Sequence, residues 1–181
     1  MSPEDPKALI AEGEGRMAEG DLDGALGAFQ RAVAAAPTSA VAHSKLGIVQ
    51  VHKRQWDAAA AEFSRAIQLD PTYAPAYSNL GNVYRERGQL DQAVAQYQKA
   101  VSMDPDYWVA HQNLGVVYKQ QGRVAEAVRE FKTATRLSLR SPGGSTGGIG
   151  AGRAGGDRRP GCLGSGSMAI VAAVMLAALR R

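Results

Sequence analysis

Three histidines, one cysteine and one glycine-spaced hexamer are the features of this 181-residue chain whose types and spacing could do chemistry. His43 and His111 occupy the same place in two segments of identical spacing, and Tyr77 occupies it in the segment between them. A position that accepts either imidazole or phenol points to packing and hydrogen bonding rather than to metal ligation. His52 stands beside Lys53 and Arg54 and reads as a solvated basic turn. Cys162 has no second cysteine, so neither an internal disulfide nor a thiolate zinc site can form. Serine, histidine and aspartate occur without the spacing of an activated nucleophile. Gly150 to Gly155 matches G-x-G-x-x-G, but a dinucleotide loop needs a strand before it and a helix after it, and neither pattern is present. No catalytic set, metal site or cofactor site emerges, and a non-enzymatic role is expected.

Charge narrows the partner classes further. The formal net charge of +4 would suggest nucleic acid or an anionic surface if it were clustered on a folded face. Sixteen basic and sixteen acidic residues precede Pro142, whereas five arginines and one aspartate follow from there. The excess therefore lies outside the main body. Without a basic patch interleaved with exposed aromatics, nucleic acid is not expected as a partner. The same cut separates the glycines, because 11 of the 21 fall between residues 142 and 167.

The elements that position the remaining residues are set by a repeat. Gly13, Gly47, Gly81 and Gly115 are each 34 apart, as are Ala25, Ala59, Ala93 and Ala127, and Ala32, Ala66, Ala100 and Ala134. Phe29, Phe63, Tyr97 and Phe131 keep the same period, and Pro37, Pro71 and Pro105 close the first three units. The units run 6–39, 40–73, 74–107 and 108–141, after an N-terminal extension at 1–5. Within each, apolar residues recur at helical spacing, which predicts two helices per unit. In the third unit Gly88 separates the two helices, Asp91 is typed to cap the second, and Pro105 ends it; Thr38, Thr72 and Asp106 are typed to cap the following unit's first helix. Gly81 and Ala93 let the paired helices approach closely, with Tyr84 and Tyr97 beside the contact.

These columns resemble the tetratricopeptide repeat, whose form is W-x2-L-G-x2-Y, A-x3-F, P. The third copy, YSNLGNVYRERGQLDQAVAQYQKAVSMDP, carries the resemblance best, and the match extends over about three quarters of the chain. The first unit departs from it with Glu12 and Arg16 where leucine and tyrosine belong, and the fourth lacks its closing proline. The resemblance implies an all-α, right-handed solenoid of helix-turn-helix repeats whose concave face binds a protein or peptide. It places the second, fifth, ninth and twelfth residues of each unit on that face. The resulting groove comprises Ser44, Ile48 and Val51, then Ser78, Asn82 and Arg85, then Gln112, Val116 and Lys119. Lys45, Asn79 and Asn113 stand at the sixth position, where asparagines of some family members grip an extended peptide backbone. Ile10 and Met17 extend the apolar, N-terminal half of the groove; Asn82, Arg85, Gln112 and Lys119 make its other half polar. An adaptor or scaffold is the function this implies, with a ligand that offers an apolar anchor and an acidic group. Family members that clamp a C-terminal carboxylate use lysine and asparagine where Ile10, Glu14, Ser44 and Ile48 stand, so that specialised activity is not expected.

The ends suggest an alternative. The last unit runs from Leu139 straight into the glycine tract, leaving Val128, Phe131, Leu137 and Leu139 as an uncovered patch through which copies of the chain could self-associate without any peptide ligand. Residues 142–167 are expected to be a disordered linker, and residues 168–181 a short apolar helix closed by arginines. That tail holds Met168, Ile170, Val171, Val174, Leu176 and Leu179, followed by Arg180 and Arg181. Twelve helical residues span only about 18 Å, but the 19 uncharged residues from Gly161 to Leu179 approach a membrane-spanning length. A tail anchor holding a cytoplasmic array at the inner membrane is one reading, since residues 1–22 show no secretory signal. A tail folded back as the missing cap is the second. The third is a resemblance to bacterial C-terminal sorting signals, which would place the protein at the cell surface.

Overall fold

The computed structural model describes residues 5–140, which form eight α-helices and no strands. They are α1 (Pro6–Glu19), α2 (Leu22–Ala35), α3 (Ala40–His52), α4 (Trp56–Leu69), α5 (Ala74–Glu86), α6 (Leu90–Met103), α7 (Trp108–Gln120) and α8 (Val124–Arg140). Each of the four 34-residue units read from the sequence holds one antiparallel pair, and the pairs stack into an α-solenoid. The linker and tail expectations, including those for Met168, Ile170, Val171, Val174, Leu176, Leu179, Arg180 and Arg181, lie outside the described residues. Among the described residues, no helix is long and apolar enough to cross a membrane.

The glycine and aromatic columns are two halves of one contact. A Cβ at Gly13, Gly47, Gly81 or Gly115 would fall 2.5 to 2.7 Å from the ring of Phe29, Phe63, Tyr97 or Phe131. No real Cβ sits so close to a ring, so only glycine lets the first helix of a unit settle against the second. The next unit's first helix then covers the second from the other side. Leu46 and Val49 pack on Ala25 and Phe29; Leu80 and Val83 pack on Ala59 and Phe63; Leu114 and Val117 pack on Ala93 and Tyr97. Removal of such side chains from water is the main favourable term holding the stack.

Two sets of polar contacts fix the joints. Between units, the Lys53 ammonium pairs with Asp23 at 2.5 Å, the Arg87 guanidinium with Asp57, and Gln121 Nε2 donates to Asp91 Oδ1 at 2.8 Å. Asp91 therefore clasps the next unit rather than capping α6, whose N-cap is Gln89, without a side-chain bond. The caps expected at Thr38, Thr72 and Asp106 likewise fall one residue later, at Ser39, Tyr73 and Tyr107, and of these only Ser39 bonds the helix through its side chain. The reason is local: Asp70 and Asp104 accept from the backbone N–H groups of Thr72 and Asp106, which commits those residues to the preceding turn. The histidines span both kinds of joint: His43 Nδ1 meets Glu62 Oε2 of its own unit at 2.6 Å while Nε2 donates to the carbonyl of Pro37 in the preceding unit at 3.1 Å, and His111 repeats both distances with Glu130 and Pro105. The Tyr77 hydroxyl donates to the Pro71 carbonyl at 3.1 Å, so imidazole and phenol perform the same tie.

The terminal units differ from the inner ones as their sequences foreshadow. At the first, Arg16 bonds Glu12 at 3.1 Å and Asp21 at 3.0 Å, and Arg31 reaches Glu12 at 3.4 Å, a polar network built on Glu12 where the second and third units bury Leu46 and Leu80. At the last, Val128 and Leu139 are exposed and Phe131 is half-buried, but Leu137 is buried because it turns inward on α8. Val124, absent from the expected patch, is 63% exposed.

Candidate functional site: the inner face of the array

First helices touch first helices, since α1 meets α3, α3 meets α5 and α5 meets α7, whereas α2, α4, α6 and α8 make no contact with one another. Elements that lie closer together on one side define the concave side, so the inner face is built from α3, α5 and α7 with α1 at its edge.

The structure divides the sequence-predicted groove residues into two layers. Lys45, Ile48, Val51, Arg85, Asn113 and Val116 are half-buried, and Gln112 and Lys119 are exposed. These eight form the accessible layer. Ser44, Ser78, Asn79 and Asn82 are buried, each at most 3% exposed, and form a polar wall beneath it. Ile48 and Val51 rest on the Phe63 and Leu80 core, which fixes them as a firm apolar patch. Ile10 and Met17 pack against the Phe29 core. Lys45 is held by Glu14 at 2.5 Å, which links α3 to α1, and Arg85 bonds Glu86 at 3.0 Å. For Gln112 and Lys119 no hydrogen bond or ion pair is formed among the described residues.

The buried layer is only partly satisfied. The Tyr97 hydroxyl donates to Asn82 Oδ1 at 2.7 Å, and Asn113 Nδ2 donates to Ser78 Oγ at 3.3 Å across α7 and α5. Both polar atoms of the Asn79 side chain, Asn82 Nδ2, Gln50 Oε1 and the Tyr107 hydroxyl have no protein partner. Such groups are uncommon in a protein interior, where unpaired amides cost about 1–3 kcal/mol each. Tyr73 and Tyr107 belong to this layer although they escaped the sequence reading. Tyr73 approaches Ser44 and Lys45, and Tyr107 faces Ser78 without a bond of acceptable geometry. Burial pushes both phenols above their ordinary range. The signal was present: they stand 34 apart as the last residues of their units, one step before each inner helix.

No three histidine, cysteine, aspartate or glutamate side chains gather as metal ligands among the described residues. What the inner face offers is a strip of neutral hydrogen-bonding groups, an apolar patch at the α3 end and cationic groups at Arg85 and Lys119. A stack of paired helices with such a face defines a helical-repeat module of the kind typical of protein-interaction adaptors and scaffolds.

The TPR repeat family model matches residues 51–84 and 81–122, and the tetratricopeptide repeat model residues 109–140. The crystal structure of MamA is 32% identical, with a TM-score of 0.66 over 78% of this chain and 82% of MamA. MamA from Desulfovibrio magneticus RS-1 is 26% identical, with a TM-score of 0.63 over 75% of this chain and 77% of that one. The PilF structure from Pseudomonas aeruginosa is 26% identical, with a TM-score of 0.69 over 76% of this chain and 63% of PilF. No curated protein matches the sequence. The chain belongs to the tetratricopeptide-repeat family.

Proposed function

We propose that this protein is a peptide- or protein-binding adaptor whose ligand lies along the inner faces of α3, α5 and α7. The observation that carries this reading is the accessible layer itself. Ile48, Val51 and Val116 present apolar surface beside Arg85, Gln112 and Lys119, and the last two have no bonding partner among the described residues. A segment with an apolar anchor and a carboxylate would cover the patch and pair with the cations, while its peptide groups meet the accessible amides of Gln112 and Asn113. In this reading the apolar tail tethers the array to the inner face of a membrane, which keeps the adaptor near membrane-borne partners.

Replacing Arg85, Gln112 and Lys119 together by alanine tests the groove. Capture of binding partners by the immobilised protein should fall at least tenfold while the urea midpoint stays unchanged, because these side chains lie outside the core. Unaltered capture would move the site off this face. For the tether, a chain ending at Ser141 should leave the membrane pellet that the full chain enters; equal partitioning of the two sinks it.

A further inference from the structure

The second helix occurs four times in this chain, and its last copy departs from the other three on one face. On α6 that face meets the next unit: Asp91 accepts from Gln121 at 2.8 Å, Gln98 donates to the Tyr118 hydroxyl at 3.0 Å, and Val94 is buried between them. One period later the same places hold Ala125, Lys132 and Val128, all exposed. Beside them Ala95 and Ser102 of α6 become Arg129 and Arg136 on α8, and Arg140 extends the row. Arg129, Lys132, Arg136 and Arg140 follow at i, i+3, i+7 and i+11, which sets four exposed cations in one line. The helices α2, α4 and α6 carry one cation each, Arg31, Arg65 and Lys99.

Nothing nearby neutralises the row. The two carboxylates of α8 are engaged elsewhere, Glu126 by Arg123 and Glu130 by His111, and Lys132, Arg136 and Arg140 form no ion pair among the described residues. Alongside the cations runs a second stripe, Val124, Val128 and Leu139, 63%, 39% and 77% exposed. Another repeat of the kind that covers α2 and α4 would bring a cation such as Lys53 or Arg87 to Ala125, where the pairing aspartate is missing. Residues 142–181 hold five arginines and one aspartate, so they supply no counter-charge either. The two stripes lie side by side from Val124 to Leu139, about 22 Å at 1.5 Å per residue. A ridge of aliphatic side chains flanked by cations requires no shaped pocket in its partner, and it is the pattern of a helix lying in the plane of a lipid interface.

We propose that the outer face of α8 docks on an anionic lipid surface. Val124, Val128 and Leu139 enter the headgroup layer, and Arg129, Lys132, Arg136 and Arg140 pair with acidic headgroups, which attract basic side chains held close to the surface. Lodged by its last helix, the array keeps the inner faces of α3 and α5 open for the ligand of the adaptor reading. The inference depends neither on that ligand nor on the tether assigned to the tail.

Flotation of the full-length chain with vesicles tests it, comparing phosphatidylcholine alone with phosphatidylcholine containing phosphatidylglycerol. Two variants are used, one with Arg129, Lys132 and Arg136 all replaced by glutamine, the other Val128→Asp. Both change exposed side chains, and an unchanged urea midpoint establishes that each is folded; Leu139→Asp stands in if Val128→Asp lowers it. Binding to neutral vesicles belongs to the tail and should be the same in all three chains. Acidic vesicles should hold the parent at least about tenfold more tightly than the triple variant, because each cation near the surface contributes to the attraction. Raising salt from about 50 to about 500 mM should abolish that difference by screening. Val128→Asp should also weaken binding to acidic vesicles, since it places a carboxylate among the headgroups. Equal binding of the parent and the triple variant to acidic vesicles would overturn the proposal. So would displacement of the parent by poly-glutamate together with no effect of Val128→Asp, an outcome that assigns the cations to an acidic protein segment.

Discussion

The second and fourth units are built from the same parts, yet they are not equally held. Both carry the histidine tie, with bonds of 2.6 and 3.1 Å to a glutamate and a proline carbonyl. Both seat a phenylalanine ring against a glycine, Phe63 on Gly47 and Phe131 on Gly115. The difference lies on the far side of that ring. Phe63 is fully buried because Leu80 and Val83 of α5 cover it, whereas α8 has no covering helix among the described residues and Phe131 stays half-exposed. A repeat therefore owes part of its stability to its neighbour, as expected of a one-dimensional array.

Truncation of the two rings breaks this comparison most directly. Phe63→Ala should destabilise the array by about 3–5 kcal/mol, the range for a large side chain deleted from a closed core. Phe131→Ala should cost roughly half as much, because part of its surface is already in water and no closed cavity is left. Urea unfolding followed by far-ultraviolet circular dichroism gives both values. Equal losses would mean that something covers the outer face of α8 in solution.

The same contrast separates what the sequence discloses from what it hides. The glycine, alanine and aromatic columns state the fold almost outright, because each records a close approach repeated four times. Helix caps were less legible: threonine or aspartate at Thr72 and Asp106 satisfies the capping rule, but Asp70 and Asp104 compete for those residues through a side-chain turn. The groove was legible as a face and not in depth. Ser44, Ser78, Asn79 and Asn82 share the periodicity of Ile48 and Gln112, and only the packing of neighbouring inner helices decides which of them reach the surface. Tyr73 and Tyr107 were hidden for a different reason, since a residue at a unit boundary reads as a connector until its side chain is seen to fold back on the inner helices.

A smaller effect sharpens the comparison at the turns. Gly20, Gly88 and Gly122 adopt φ of 83°, 74° and 75° between the paired helices, and in the second unit Arg54 fills that place with φ 58°. A residue with a Cβ pays about 1–2 kcal/mol in this left-handed region. Arg54 is exposed and continues no helix, so nothing in the core depends on its side chain. Arg54→Gly relieves the strain, and the greater freedom of glycine in the unfolded chain offsets about half of that gain. The variant should be more stable than the parent by roughly 0.5–1 kcal/mol, seen as a higher urea midpoint with an unchanged slope. Gly88→Ala in the third unit should shift the midpoint the other way by a similar amount. If both substitutions move it in the same direction, the turns of the two units are not equivalent, and Arg54 contributes a surface interaction that outweighs its backbone strain.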